Sequence, residues 1–128
     1  MKRTVAVSRW PKLLRIPDET RQWSAVLEAE LGRWPGVTSR PMFGLMGFYR
    51  DGVIFACLPR TRTLGTPNSI LFKVAPMPAP LLRRAKKDPR IDSEREGPGA
   101  RWHSFELNSP EDLGDALWWL ERAYDRTK

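Results

Sequence analysis

The stretch Leu45-Met46-Gly47-Phe48-Tyr49-Arg50-Asp51-Gly52-Val53-Ile54-Phe55-Ala56-Cys57-Leu58 decides the fold. At its centre, Asp51-Gly52 is a dipeptide that tolerates positive φ at both positions, and it closes a two-residue hairpin whose twist matches its strands. Counting outward pairs Arg50 with Val53, Tyr49 with Ile54, Phe48 with Phe55, Met46 with Cys57 and Leu45 with Leu58. Alternation then puts Met46, Phe48, Val53, Phe55 and Cys57 on one face and Leu45, Tyr49, Ile54, Ala56 and Leu58 on the other. Both faces are apolar, whereas a sheet covered on one side alone shows polar residues on the other. Something must cover the second face. The candidates are the N-terminal arm, another helix or a second copy of the chain, and self-association is the favoured expectation.

Outward from the hairpin, Ile70, Phe72 and Val74 alternate with Leu71 and Lys73, which marks a strand, and Phe105 and Leu107 alternate with Ser104 and Glu106 in a last one. Residues 59–68, with Gly65 and Pro67, read as a loop, and residues 92–99 as a charged loop ending in Gly-Pro-Gly. A first helix is expected from Pro17-Asp18, with Asp18 accepting from the first-turn amides. Trp23, Val26, Leu27 and Leu31 make its apolar face, and Gly32 and Pro35-Gly36 end it by Trp34. A short amphipathic helix covers residues 81–87 and stops before Pro89. Ser109-Pro110-Glu111-Asp112 opens the last helix with a serine cap and a first-position proline. Leu113, Ala116, Leu117, Leu120 and Tyr124 form its stripe, Trp119 and Ala123 lie at its margin, and Trp118 lies off it, read as lying across a neighbouring strand in preference to a partner contact. Residues 1–16, with Thr4-Val5-Ala6-Val7 as their one strand-like run, read as an arm. The fold class is therefore α+β: two layers, an antiparallel sheet of about five strands with helices mainly on one face, in the order α-β-β-β-β-α-β-α.

The 128 residues suit one core, and 41% hydrophobic with 29% charged residues is ordinary globular usage. A single cysteine excludes an internal disulfide and any multi-cysteine metal site, and no run is apolar and long enough for a signal peptide or membrane helix. A cytoplasmic location without membrane contact is expected. The net charge of +7 is unevenly spread. Lys2, Arg3, Arg9, Lys12 and Arg15 crowd the arm without an acid, Arg83, Arg84, Lys86, Lys87 and Arg90 form a second group, and the last helix is acidic.

Met42-Phe43-Gly44, Gly47-Phe48-Tyr49-Arg50-Asp51-Gly52, Phe55-Ala56 and Leu71-Phe72-Lys73-Val74 together resemble the N-terminal domain of the competence regulator TfoX and its stand-alone relatives. The 113–123 segment, with Trp119 four residues before Ala123, is similar to that family's terminal helix. On this resemblance, residues 1–16 are a basic arm and residues 17–128 a single TfoX N-terminal-like domain. The resemblance implies a two-layer α+β domain and, in some members, a link to regulation of DNA uptake; it brings no active site. The long basic loop at 59–68 and the basic arm depart from the family's pattern.

The chain's chemistry is sparse. His103 is the only histidine and is read as structural at the sheet edge, and Cys57, among aliphatics, as a small inert hydrophobe. Gly44-Leu45-Met46-Gly47 leads into a strand and lacks a following Lys-Ser or Lys-Thr, so it is turn geometry, not a phosphate loop. Acids at 111, 112 and 115 are accounted for by the helix dipole. We assign no catalytic, cofactor-binding or metal-binding residue and expect no cofactor. The expected function is a non-enzymatic interaction or regulatory module, a homodimer or the binder of a protein partner. One alternative is a nucleic-acid-associated protein contacting its partner through Arg60, Arg62, Arg83, Arg84, Lys86 and Lys87, with Trp10 as a stacking group. The other is a small-molecule binder or enzyme with a pocket beside Trp102, His103 and the 60–68 loop.

Overall fold

The computed structural model describes residues 10, 12–97 and 99–127. The expected Thr4–Val7 strand lies outside them. Six strands form one antiparallel sheet in the order β2-β3-β4-β6-β8-β7, where β2 is Val37–Met42, β3 Leu45–Arg50, β4 Val53–Pro59, β6 Ser69–Lys73, β7 Ile91–Ser93 and β8 Trp102–Glu106. A separate two-stranded ladder joins β1 (Leu14–Arg15) to β5 (Arg62–Thr63). The helices are α1 (Asp18–Leu31), α2 (Ala79–Lys87) and α3 (Asp112–Asp125). Leu27 and Leu31 of α1, Ala85 of α2 and Ala116, Trp119, Leu120 and Ala123 of α3 share one buried cluster with Met46, Phe48, Phe55, Phe72 and Phe105 of the sheet. The fold is α+β, with its helices on one face.

The Asp51-Gly52 turn forms as read, and Arg50 pairs with Val53 and Tyr49 with Ile54. Beyond it the register moves by one: Phe48 meets Ala56, Gly47 meets Cys57, Met46 meets Leu58 and Leu45 meets Pro59. Phe55 is the extra residue of a β-bulge, and past a bulge every side chain changes sides. Ala56 and Leu58 therefore join Met46, Phe48 and Phe55 on the helix side, while Cys57 turns to the other face with Leu45. This reverses the expected positions of Ala56, Cys57 and Leu58. The physical gain is that Phe55, fully buried, meets Trp34 and Tyr124 with ring centroids 6.3 and 5.6 Å away, without expelling Ala56 and Leu58 from the core.

Two edge strands escape the pattern rules. β2 carries Thr38, Ser39, Arg40 and Pro41, all exposed, and a proline is tolerated where no ladder bond is needed. β7 is three residues beside β8, in a segment read largely as loop.

The helix signals also need local correction. In α1 the flanking residue is Pro17, with no side-chain cap, and Asp18 is already inside the first turn. Its buried stripe is Thr20, Ser24, Leu27 and Leu31, while Val26 is 55% exposed. Polar residues fill half of that stripe because Ser24 Oγ donates to the Pro59 carbonyl at 2.7 Å. At α3 the serine hydroxyl does not cap. Instead the Asp112 carboxylate accepts from the Asn108 and Ser109 amides at 2.7 and 3.2 Å. Trp119 is in the core at 2% exposure, not at its margin. Trp118 packs at the edge of the core, with the guanidinium groups of Arg84 and Arg122 at 4.0 and 4.3 Å from its ring.

The second sheet face has cover from within the chain. Trp10 is buried against Leu45, Cys57 and Leu71, with Met42, Ile54, Leu64 and Trp102 at the edges of that cluster, and its indole Nε1 donates to Asp92 Oδ2 at 3.2 Å. Ile16 donates its amide to the Thr61 carbonyl, which binds the 12–16 segment to the loop after β4.

Candidate anion-binding surfaces

An arginine or lysine near a carboxylate is already neutralised, so the sites of interest are the cations that the fold leaves without one. Arg90 stands at one extreme. Its guanidinium donates to Asp88 at 2.7 and 2.9 Å, to Asp112 at 2.7 Å and to Asp115 at 2.9 Å, and it lies 4.6 Å over the Phe105 ring. These bonds hold the Asp88 carboxyl below the ordinary aspartate range and raise Arg90 further. The acids at 112 and 115 thus tie α3 to the turn before β7, beyond serving the helix dipole.

The six sequence-derived contact residues occupy different settings. Arg60 is paired with Glu28 of α1 at 2.9 and 3.2 Å, and that pair raises its pKa. Arg62 is in β5. Arg83, Arg84, Lys86 and Lys87 are exposed on α2, which flanks β7, and β7 lies three strand spacings, about 14 Å, from β4. The helix has no acid of its own, and its last turn holds Arg84, Lys86 and Lys87, favourably placed at the negative end of the dipole. Arg84 is committed to Trp118. Among the described residues, Arg83, Lys86 and Lys87 have no carboxylate within ion-pair distance.

Arg62 belongs to a second basic surface that the sequence reading did not isolate. An open groove of about 590 Å³ lies between the 13–16 segment, the first turn of α1, the β2–β3 turn and the loop after β4. Its lining includes Arg15, Arg21 and Arg62, with Asp18 as its acid and with Leu13 and Phe43 as apolar surface. The groove is shaped by the Gly44 carbonyl, which accepts from the Arg60, Thr61 and Arg62 amides at 3.0, 2.9 and 3.1 Å and so bends that loop around the turn. A side chain at Gly44, where φ is +86°, would come within 2.8 Å of Arg62 Cβ and Thr61 Oγ1. Close approach explains this glycine.

His103 and Cys57 are occupied structurally. The histidine is 2% exposed; its Nε2 lies 3.3 Å from the Val74 carbonyl, which can only accept, so Nε2 carries the proton and Nδ1 accepts from Ser93 Oγ at 2.7 Å. Burial lowers its pKa, which keeps the ring neutral. Trp102, on the opposite face, packs into the Trp10 cluster and so does not share a pocket wall with His103. Burial pushes the Cys57 thiol up to about 12, far from a reactive thiolate. Among the described residues there is no group of three His, Cys, Asp or Glu side chains placed to hold a metal, and no helix is long and apolar enough to cross a membrane. Comparison with protein-family models, curated proteins and solved structures finds no match to this chain.

Proposed function

We propose that this chain is a non-enzymatic recognition module, of the TfoX N-terminal kind its hairpin segments resemble, and that its partner is a polyanion, nucleic acid in the first place. The observation that carries this reading is the division of its cations. Arg90 takes three carboxylates and Arg33, Arg60 and Arg122 one each, while Arg83, Lys86 and Lys87 on α2 and Arg15, Arg21 and Arg62 in the groove have none within ion-pair distance among the described residues. Clustered cations of this kind raise the local concentration of phosphate-bearing partners and gain affinity by releasing their counterions. Trp10 supplies cover from within the chain where the second sheet face presents Leu45, Cys57 and Leu71.

The test is fluorescence anisotropy of labelled DNA and RNA oligonucleotides across a salt series. Affinity is expected to fall steeply with salt, and replacing Lys86 and Lys87 together by Ser is expected to reduce the slope of log K against log salt by about 1.5. Absence of binding at low salt overturns the reading.

A further inference from the structure

The β2–β3 turn consists of Phe43 and Gly44, with φ of +51° and +86°. Asn, Asp and Gly favour the first position of such a turn because a short polar or absent side chain tolerates left-handed backbone; a bulky aromatic does not. Phe43 is also 80% exposed, so its ring gains almost no burial in return for the strained backbone. A second unfavourable feature faces the same groove. Arg15 and Arg62 are direct cross-strand partners in the β1–β5 ladder, with Cα atoms about 5 Å apart, and like charges directly opposite repel. Among the described residues neither is in an ion pair with a carboxylate, and the Arg62 guanidinium donates to the neighbouring Thr61 carbonyl at 3.4 Å. An exposed flat ring held rigidly by a tight turn, beside a facing pair of arginines and Arg21, matches a ligand that carries a π-face and a phosphate in alternation.

We propose that the groove binds single-stranded nucleic acid, one base stacking on Phe43 while an adjacent phosphate is held by Arg15 and Arg62 and a flanking one by Arg21. The inference rests on the polyanion reading above and assigns it a site and a strandedness. Duplex is the poorer fit, because its bases are stacked on one another and present no face to Phe43. An anionic lipid surface would meet the same charges, but a concave groove holding one largely exposed ring offers little to insert.

The experiment measures binding of a short labelled oligothymidylate and of the matching duplex to the full chain and to variants. Phe43→Asn keeps a residue that favours the left-handed turn and removes only the ring. It is expected to weaken oligothymidylate binding at least about fivefold, while Phe43→Tyr retains it. Arg15→Ser with Arg62→Ser is expected to lower the salt slope by about 1.4. Near-UV circular dichroism of each variant shows whether the tryptophan environments, and so the fold, are intact. Unchanged affinity in folded Phe43→Asn overturns the proposal, as does equal affinity for duplex. If the Lys86 and Lys87 replacement abolishes binding and the groove variants do not, the polyanion reading stands and this site falls. Loss of every signal at low salt removes both. Phe43-dependent binding to phosphatidylserine vesicles that oligothymidylate does not displace also overturns it, in favour of a lipid surface.

Discussion

Asp51-Gly52 and Phe43-Gly44 are two turns of nearly the same shape at opposite ends of β3. Their first residues have φ of +50° and +51°, and both glycines have φ of +86°. In the first turn the residue types suit the backbone, and a Cβ at Gly52 would meet nothing within 4 Å. The second puts an exposed aromatic where the backbone disfavours it and packs its glycine against Arg62 and Thr61. A turn whose residues suit its shape is explained by folding alone. A turn whose residues oppose it needs a further reason, and here the reason offered is a bound base.

Several substitutions would break or sharpen this contrast. Gly44→Ala combines left-handed strain with contacts at 2.8 Å to the Arg62 Cβ and Thr61 Oγ1, so a loss of about 3 kcal/mol is expected in urea unfolding. A loss no larger than that of Gly52→Ala would remove the packing difference between the turns. Arg90→Met supplies an outside reference, an arginine whose charge is fully used within the fold, and about 2 kcal/mol is expected to be lost at neutral pH. The sign with pH follows from Asp88, whose folded pKa is depressed chiefly by its hydrogen bonds to Arg90. Its contribution is complete above the unfolded aspartate value and disappears as pH falls through the lower folded one. Acid titration of the wild type is therefore expected to hold stability until below the ordinary aspartate range, and Arg90→Met to unfold at higher pH; coincident acid curves would refute this assignment.

Gly52→Ala, in open space, carries only the left-handed penalty of about 1 kcal/mol. The smallest expected effect has the opposite sign. Phe43→Asn supplies the residue that the turn prefers and is expected to stabilise the protein by about 0.5 kcal/mol while binding is lost. If it destabilises instead, the ring has a structural role and the contrast between the turns collapses.

How much of this could be read in advance differs along the chain. Asp51-Gly52 was legible because its residues and its geometry agree, and that agreement located the hairpin and the antiparallel sheet. Phe43-Gly44 gave no such signal, since phenylalanine argues against the conformation it adopts. The sequence does not place β2, because Pro41 and its exposed polar residues show no strand alternation and are acceptable only at an edge. The six cations Arg60, Arg62, Arg83, Arg84, Lys86 and Lys87 were visible as basic residues, but not which of them meet acids. Glu28 is 32 residues from Arg60, and Trp118 is far along the chain from Arg84. Arg15 and Arg21 entered the candidate site only through the groove that the Gly44 carbonyl shapes.

Local chemistry alone determined the hairpin turn, the α+β class, the three helices to within a few residues and the surplus of positive charge, because each depends on neighbours within a turn or a strand. Tertiary packing decided the rest. The bulge at Phe55 was selected by the Trp34 and Tyr124 rings it reaches, and it reversed the faces of Ala56, Cys57 and Leu58. The cover of the second face came from Trp10, and the pairing of Arg15 with Arg62 from a ladder between segments 47 residues apart, as 62 − 15 shows. Such contacts depend on where distant segments meet, and no periodicity along the chain encodes that meeting.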